Sequence, residues 1–194
     1  MILIIDNYDS FTYNLDNYLK RLLQKTLVVY NDKITIDEIK SLNVNAILTS
    51  PGPFGPKEAK LSTEVVGYCM DNNVPLLGVC LGMQAMAYYT GAKIIKNPYP
   101  MHGKISKIEN NGKNLFKGLP KEFNVTRYHS LSIEEGTLHK DFEIDARSKD
   151  DNLIMAISHK TKPLFGLQYH PESICSEYGL EQLEKFISLQ NQRS

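Results

Sequence analysis

The chain has 194 residues, 42% of them hydrophobic, which suits one well-cored domain over 1–194 better than two small ones. Its 22 basic residues balance 22 acidic ones, and no Lys/Arg run exceeds two residues, so nothing favours nucleic acid or an anionic membrane surface as a partner. The opening MILIIDNYDS has its first basic residue only at Lys20 and lacks the pattern of a secretory signal, and no apolar run approaches a bilayer span, so a cytoplasmic location is expected.

In chain order, ILIID (2–6) reads as a strand and SFTYNLDNYLKRLL (10–23) as a helix with Phe11, Leu15, Tyr18, Leu19 and Leu22 on one side. TLVVYN (26–31) is the next strand, IDEIKSL (36–42) a short helix, and AILTS (46–50) a strand stopped by PGPFGP. LSTEVVGYCMD (61–71) reads as a helix, PLLGVC (75–80) as a buried strand, and LGMQAMAYYTG (81–91) as a helix closed by Gly91. This alternation predicts an α/β fold with an open, mostly parallel sheet flanked by helices. GAKIIKN, GKISKIEN, FEIDARS, LIMAISH and LFGLQYH then suggest added, partly antiparallel strands before a last helix over 180–189.

The three cysteines, Cys69, Cys80 and Cys175, match neither a metal site nor a disulfide framework, so they are expected to be free thiols. Only Cys80 sits in a Gly-x-Cys-x-Gly turn from a buried strand into a helix, the form of a nucleophile elbow. Gly78 and Gly82 would let strand and helix backbones approach, the helix N-terminus would favour negative charge on sulfur, and the Leu81 N–H would face a developing oxyanion. The competing reading makes Cys80 a small core residue between two packing glycines.

A cysteine nucleophile needs a base. In LFGLQYHPES, His170 and Glu172 stand at i and i+2, on one side of the chain if the segment is extended, which suits an imidazole oriented by a carboxylate. Taken alone, His170 also fits a satisfied interior histidine with Glu172 capping the next helix, and His102, His129, His139 and His159 are rival bases. The Pro- and Gly-rich stretch TSPGPFGPKEA (49–59) follows a strand at the carboxyl edge where open α/β sheets bind ligands, so its few free amides are available to a ligand; an ordinary surface turn is the alternative.

Together DNYDSFTYNL (6–15), SPGP (50–53), GVCLGMQ (78–84), HGK (102–104), RYHSL (127–131), GLQYHPES (166–173) and EYGL (177–180) resemble the class I glutamine amidotransferases. DNYDSFTYNL and RYHSL point to the branch formed by the glutaminase subunits of anthranilate synthase and aminodeoxychorismate synthase. The resemblance implies that Cys80 attacks the side-chain amide of L-glutamine to form a γ-glutamyl thioester, with His170 as base and then acid and Glu172 orienting it. It implies an oxyanion hole from the Gly52 and Leu81 amides, and a glutamine pocket from Gly52, Pro53, Phe54, Gln84 and the Ser130 and Leu131 backbone. It further implies a separate chorismate-using synthase subunit contacted near DNYDSFTYNL and HGK, though Asp9 or Ser10 also suit a helix cap and Gly103 a turn. No metal or other cofactor is expected in this chain, Mg2+ being expected only in the synthase.

Three positions depart from the family pattern. Phe54 stands where the branch usually has a second glycine, which raises a shift of the loop by one residue; Met83 replaces a common histidine; and Tyr169 replaces a common phenylalanine and adds a hydroxyl that needs a partner. The other function classes weighed are a different α/β cysteine hydrolase such as a γ-glutamyl peptidase, a glutaminase serving another amidotransferase partner, and a flavodoxin-like binding module. The last lacks its phosphate loop in DNYDSF.

Overall fold

The structure, a computed structural model, describes residues 1–191. Five parallel strands form one half of a nine-stranded sheet. They are β1 (Ile2–Asp6), β2 (Thr26–Tyr30), β3 (Ala46–Thr49), β4 (Leu76–Val79) and β11 (Leu164–Leu167), in the order β2-β1-β3-β4-β11. Beyond β11 the sheet continues antiparallel through β10 (Ile154–His159), β9 (Phe142–Ser148), β6 (Lys104–Asn110) and β7 (Glu122–Arg127).

The unbroken apolar runs of β1, β3 and β4 follow from helices covering both faces. Ile2 and Ile4 point to one face, where Leu15 and Leu19 of α1 (Thr12–Arg21) and Leu183 and Phe186 of α5 (Gly179–Asn191) pack. Leu3 and Ile5 point to the other face. There they meet Ile39 of α2 (Ile36–Ser41), Val65 and Cys69 of α3 (Lys60–Asn72), and Met83 and Met86 of α4 (Leu81–Tyr89). Local chemistry sets the ends: Thr35 and Glu38 form a reciprocal capping box before α2, and Asn73, at φ +54°, closes α3 in the left-handed conformation.

The expected helices are all present, with α1 shorter at both ends than 10–23; at its C-terminal end Leu23 turns left-handed at φ +58°. The added C-terminal strands are mixed as expected, and the structure places two of them more finely. The strand in GAKIIKN, β5 (Ile94–Lys96), does not extend the main sheet but pairs with β8 (Leu131–Ile133) in a separate two-stranded one. LFGLQYH contributes β11, which lies parallel beside β4 in the middle of the sheet and carries the chain past the end of the elbow strand. Among the described residues no helix is long and apolar enough to cross a membrane.

Candidate active site

Strand order reverses between β1 and β3, and at the carboxyl ends of β1, β3, β4 and β11 the chain delivers Asn7, Gly52, Cys80 and Gln168 to one crevice, as expected of an open α/β sheet. Cys80 follows β4 and heads α4 with φ +52° and ψ −101°, a strained conformation for any residue with a side chain. The neighbouring glycines are what the strand-to-helix turn requires. A Cβ on Gly78 would lie 2.5 Å from the Gly82 carbonyl carbon, and one on Gly82 would lie 2.6 Å from the Thr49 carbonyl oxygen. The turn is tied to β11 by the Cys80 N–H donating to the Leu167 carbonyl at 2.7 Å.

His170 and Glu172 meet with the imidazole Nδ1 2.7 Å from the carboxylate Oε1, both side chains buried. The route is not the extended segment expected from their i, i+2 spacing. His170 makes an isolated bridge to Thr126, and the chain then turns, with the Ser173 N–H donating to the His170 carbonyl at 3.2 Å. Pro171 fits such a departure from the sheet because it cannot donate to a ladder. Burial is the largest single influence on the ring and lowers its proton affinity. The Cys80 side chain and the Glu172 carboxylate together outweigh it and raise His170 to about 10. The arrangement therefore holds an imidazolium beside the Cys80 sulfur.

The rival histidines are accounted for. His129 accepts a hydrogen bond at Nε2 from the Arg127 Nε at 3.0 Å, so its Nδ1 carries the proton donated to the Leu131 carbonyl at 2.9 Å. Burial, reinforced by Arg127, pushes it down to about 4. His159 lies at the far end of β10 and accepts from the Lys162 N–H, His139 lies beside Asp141, and His102 is an exposed side chain edge-on to Tyr128. Of the other thiols, Cys69 is buried and pushed far up by burial, and Cys175 is exposed.

Next to Cys80 is a cavity of about 160 Å³ whose wall includes Gly52, Pro53, Phe54, Leu81, Gln84, Ser130 and Leu131, all the residues expected around a bound glutamine, together with Tyr128 and His129. Neither the Gly52 nor the Leu81 N–H has a protein acceptor among the described residues, and Leu81 is the first residue of α4, where such donors are left free. The loop that carries Gly52 is fixed from β1. The Asn7 backbone N–H and side-chain Nδ2 donate to Ser50 Oγ and its carbonyl, each at 2.9 Å. Phe54 adopts φ +68° itself, so the loop keeps its register and phenylalanine occupies a left-handed position as a residue 79% exposed. Met83 is buried in the core away from the thiol, and the Tyr169 hydroxyl accepts from Gln182 Nε2 at 2.5 Å.

Phe11 and Tyr128 flank the His170 ring at centroid distances of 5.6 and 5.0 Å, and His102 packs on Tyr128. DNYDSF, HGK and RYHSL thus converge on the triad. Sequence reasoning missed two buried groups here, Gln168, whose Nε2 lies 3.6 Å from Cys80 Sγ, and Arg127, fully buried against Asp151. Among the described residues no group of three or more His, Cys, Asp or Glu side chains is arranged to hold a metal ion.

Comparison with known proteins matches residues 3–189 to the class-I glutamine amidotransferase family. The chain is 50% identical over 192 residues to anthranilate synthase component 2 of Cyanophora paradoxa, covering 98% of this chain and 100% of that protein. It is 46% identical over 187 residues to the aminodeoxychorismate/anthranilate synthase component 2 of Bacillus subtilis, covering 96% and 95% of the two chains. The aminodeoxychorismate synthase component 2 of Escherichia coli is likewise 46% identical over 187 residues, with 96% and 99% covered. A solved structure of a putative GMP synthase subunit from Thermoplasma acidophilum superposes with a TM-score of 0.87 at 30% identity, covering 99% of this chain and 94% of that one. With an elbow cysteine, a buried histidine and glutamate beside it, and a family match across nearly all of its length, the chain belongs to the class-I glutamine amidotransferases.

Proposed function

We propose that the chain is the glutaminase subunit of a chorismate-aminating synthase, of the anthranilate or aminodeoxychorismate type, hydrolysing L-glutamine and passing ammonia to a separate synthase subunit. The observation that carries this reading is the meeting of the His170–Glu172 pair with Cys80 beside a small polar pocket. Cys80 Sγ, as the thiolate, attacks the side-chain amide carbon of glutamine. The tetrahedral oxyanion is held by the Gly52 and Leu81 N–H groups. The His170 imidazolium gives its proton to the departing nitrogen, the C–N bond breaks, and ammonia leaves a γ-glutamyl thioester on Cys80. Neutral His170 then takes a proton from water as it attacks the thioester, and collapse releases glutamate and restores the thiolate. Glu172 stabilises the charged ring and keeps its other nitrogen toward sulfur. All of these steps use the chain's own side chains and main-chain N–H groups together with water.

A synthase subunit is supported by the component 2 names of the relatives and by the surface beside the triad. There a groove of about 580 Å³ runs between Phe11, Tyr18, Gly103, Ile105 and Ile174 and has Glu172 in its wall. Ile105 and Ile174 are exposed apolar side chains, and Glu172 Oε2 is buried without a hydrogen-bond partner among the described residues. A subunit seated on this groove would cover the isoleucines and lie against the loop that carries the His170–Glu172 pair, a placement through which docking could order the site and raise glutaminase activity.

The test is labelling of the intact chain with a glutamine-mimicking alkylating agent, followed by peptide mapping with free glutamine as competitor. Glutamine-protected labelling at Cys80, and loss of glutamine use but not of ammonia-dependent amination in a Cys80→Ser complex, are expected. Labelling at Cys80 that glutamine does not slow would overturn the reading.

A further inference from the structure

We propose that the Gln168 side-chain amide holds the nucleophile, donating an N–H to Cys80 Sγ in an orientation dictated from the glutamine pocket through Gln84. The proposal deepens the glutaminase reading and rests on it for the role of Cys80.

An amide oxygen and nitrogen are alike in shape, so one contact alone would not say which of them faces the sulfur. The chain of contacts does. Gln84 Nε2 lies 3.0 Å from the Leu131 main-chain oxygen, which can only accept, so the nitrogen of Gln84 must face it. The same nitrogen lies 3.1 Å from Gln168 Oε1, and its second hydrogen is donated there. With its oxygen engaged by Gln84, Gln168 turns Nε2 toward Cys80 Sγ, 3.6 Å away. The reverse orientation would oppose two N–H donors at Gln84 and set a carbonyl oxygen against the sulfur.

The amide has little freedom to do otherwise. Gln168 is fully buried, its backbone N–H donates to the Met155 carbonyl at 2.8 Å, and the preceding carbonyl, that of Leu167, accepts from the Cys80 N–H at 2.7 Å. Gln168 and Cys80 therefore sit on adjoining strand ends whose relative position is fixed by main-chain bonds.

An N–H donor is worth more to a charged acceptor than to a neutral one, so this contact favours the thiolate over the thiol. It works beside His170, not in its place. The charged and titratable groups around the sulfur are His170 in contact with it and Glu172 behind that ring, with Asp9 and His129 acting on His170 from the β1 and β7 sides and Arg127 behind His129. Gln168 supplies a donor from the remaining side. Because Gln84 and Leu131 also line the glutamine cavity, the pocket wall and the nucleophile share one hydrogen-bond chain.

The experiment is the rate of Cys80 alkylation by iodoacetamide across pH 5–9, read by peptide mapping of the full chain, for the wild type, Gln168→Leu and Gln168→Met. Both variants nearly match the glutamine in volume and lack the donor, and methionine adapts where leucine strains the fold. A half-maximal rate reached about one pH unit higher, with alkylation slowed by up to about tenfold on the acidic limb of the profile, is expected in both. A purely structural role would lower the melting temperature and leave the pH profile unmoved; a variant that folds and labels with the wild-type profile overturns the proposal. Iodoacetamide needs no glutamine recognition. If free glutamine fails to protect wild-type Cys80, the glutaminase reading falls while the comparison at position 168 still stands.

Discussion

His170 Nδ1 lies 2.7 Å from Glu172 Oε1 with only Pro171 between the two residues, because the chain turns back on itself after β11. The turn makes the pair a rigid unit that needs no distant element to bring the carboxylate to the ring. Glu172→Gln keeps the shape and removes the charge that stabilises the imidazolium. The glutaminase kcat of the complex should fall by about 10²-fold or more, as loss of a group supporting proton transfer does. Steady-state kinetics would show it in kcat, with KM for glutamine little changed, since Glu172 does not line the cavity beside Cys80.

The raised proton affinity of His170 sets the alkaline limit. The step that expels ammonia needs the ring charged, and a folded-state value of about 10 keeps it charged well beyond the 6.5 of an ordinary histidine. Activity should therefore persist through neutral pH and decline as pH rises through about 10. In Glu172→Gln one of the influences that raise His170 is gone, so the declining limb should move to lower pH. An unmoved limb would assign the alkaline decline to another group.

Cys80 has a backbone that only glycine adopts without strain, at φ +52° and ψ −101°. Replacing the thiol should therefore reverse the usual order of stability. Glycine ordinarily loses about 0.5–1 kcal/mol to alanine, but strain of about 1–3 kcal/mol is relieved here. Cys80→Gly should melt above Cys80→Ala by roughly 2–4 °C, the shift that about 1 kcal/mol produces in a domain of this size. Both variants lack the nucleophile and should be inactive with glutamine, so calorimetry reads the strain alone.

Phe54 poses the same backbone question without the chemistry. At φ +68° it carries a left-handed cost of about 1–2 kcal/mol, and its exposed ring recovers little by burial. Phe54→Gly should be neutral or stabilising by up to about 1 kcal/mol. Phe54→Val, stiffer at Cβ, should be destabilising and should raise KM for glutamine by shifting the loop that carries Gly52. Melting temperatures together with KM for the two variants separate strain from substrate contact.

The elements legible in the sequence were those whose signal is local. Gly78 marks the elbow because the clash it avoids, with Gly82, lies within a few residues of chain, and Ile2–Asp6 reads as a buried strand from its own composition, whereas the clash that Gly82 avoids is with Thr49 on the neighbouring β3. What stayed hidden depends on segments meeting across the chain. Gln168 looks like an ordinary polar residue after a strand, and its partner Gln84 is 84 positions away. Arg127 reads as a solvated charge, yet folding encloses it between β6, β9 and Asp151. The placement of β11 beside β4, which brings His170 to Cys80, is a pairing that neither strand announces alone.

The Arg127–Asp151 pair is where stability and substrate binding meet. Arg127 is fully buried and donates to both Asp151 carboxylate oxygens, at 3.2 and 2.7 Å, while its Nε fixes the His129 tautomer that donates to the Leu131 carbonyl. Burial alone would raise Asp151, but the hydrogen bonds and charge of Arg127 outweigh it and hold the carboxyl below its usual value. Stability from such a group is present above the unfolded carboxylate value near 3.8 and is lost as pH falls through the lower folded value. Asp151→Asn leaves a buried guanidinium without its counter-charge, which costs about 3 kcal/mol, at the low end because Asp151 is partly exposed. The variant should melt roughly 6–12 °C lower at neutral pH. The gap should narrow on acidification as the wild type loses the same interaction. Because the hydrogen-bond link runs through His129 and Leu131 to the wall of the cavity beside Cys80, KM for glutamine should rise in the same variant; an unchanged KM would mean that the pair supports the fold without reaching the pocket.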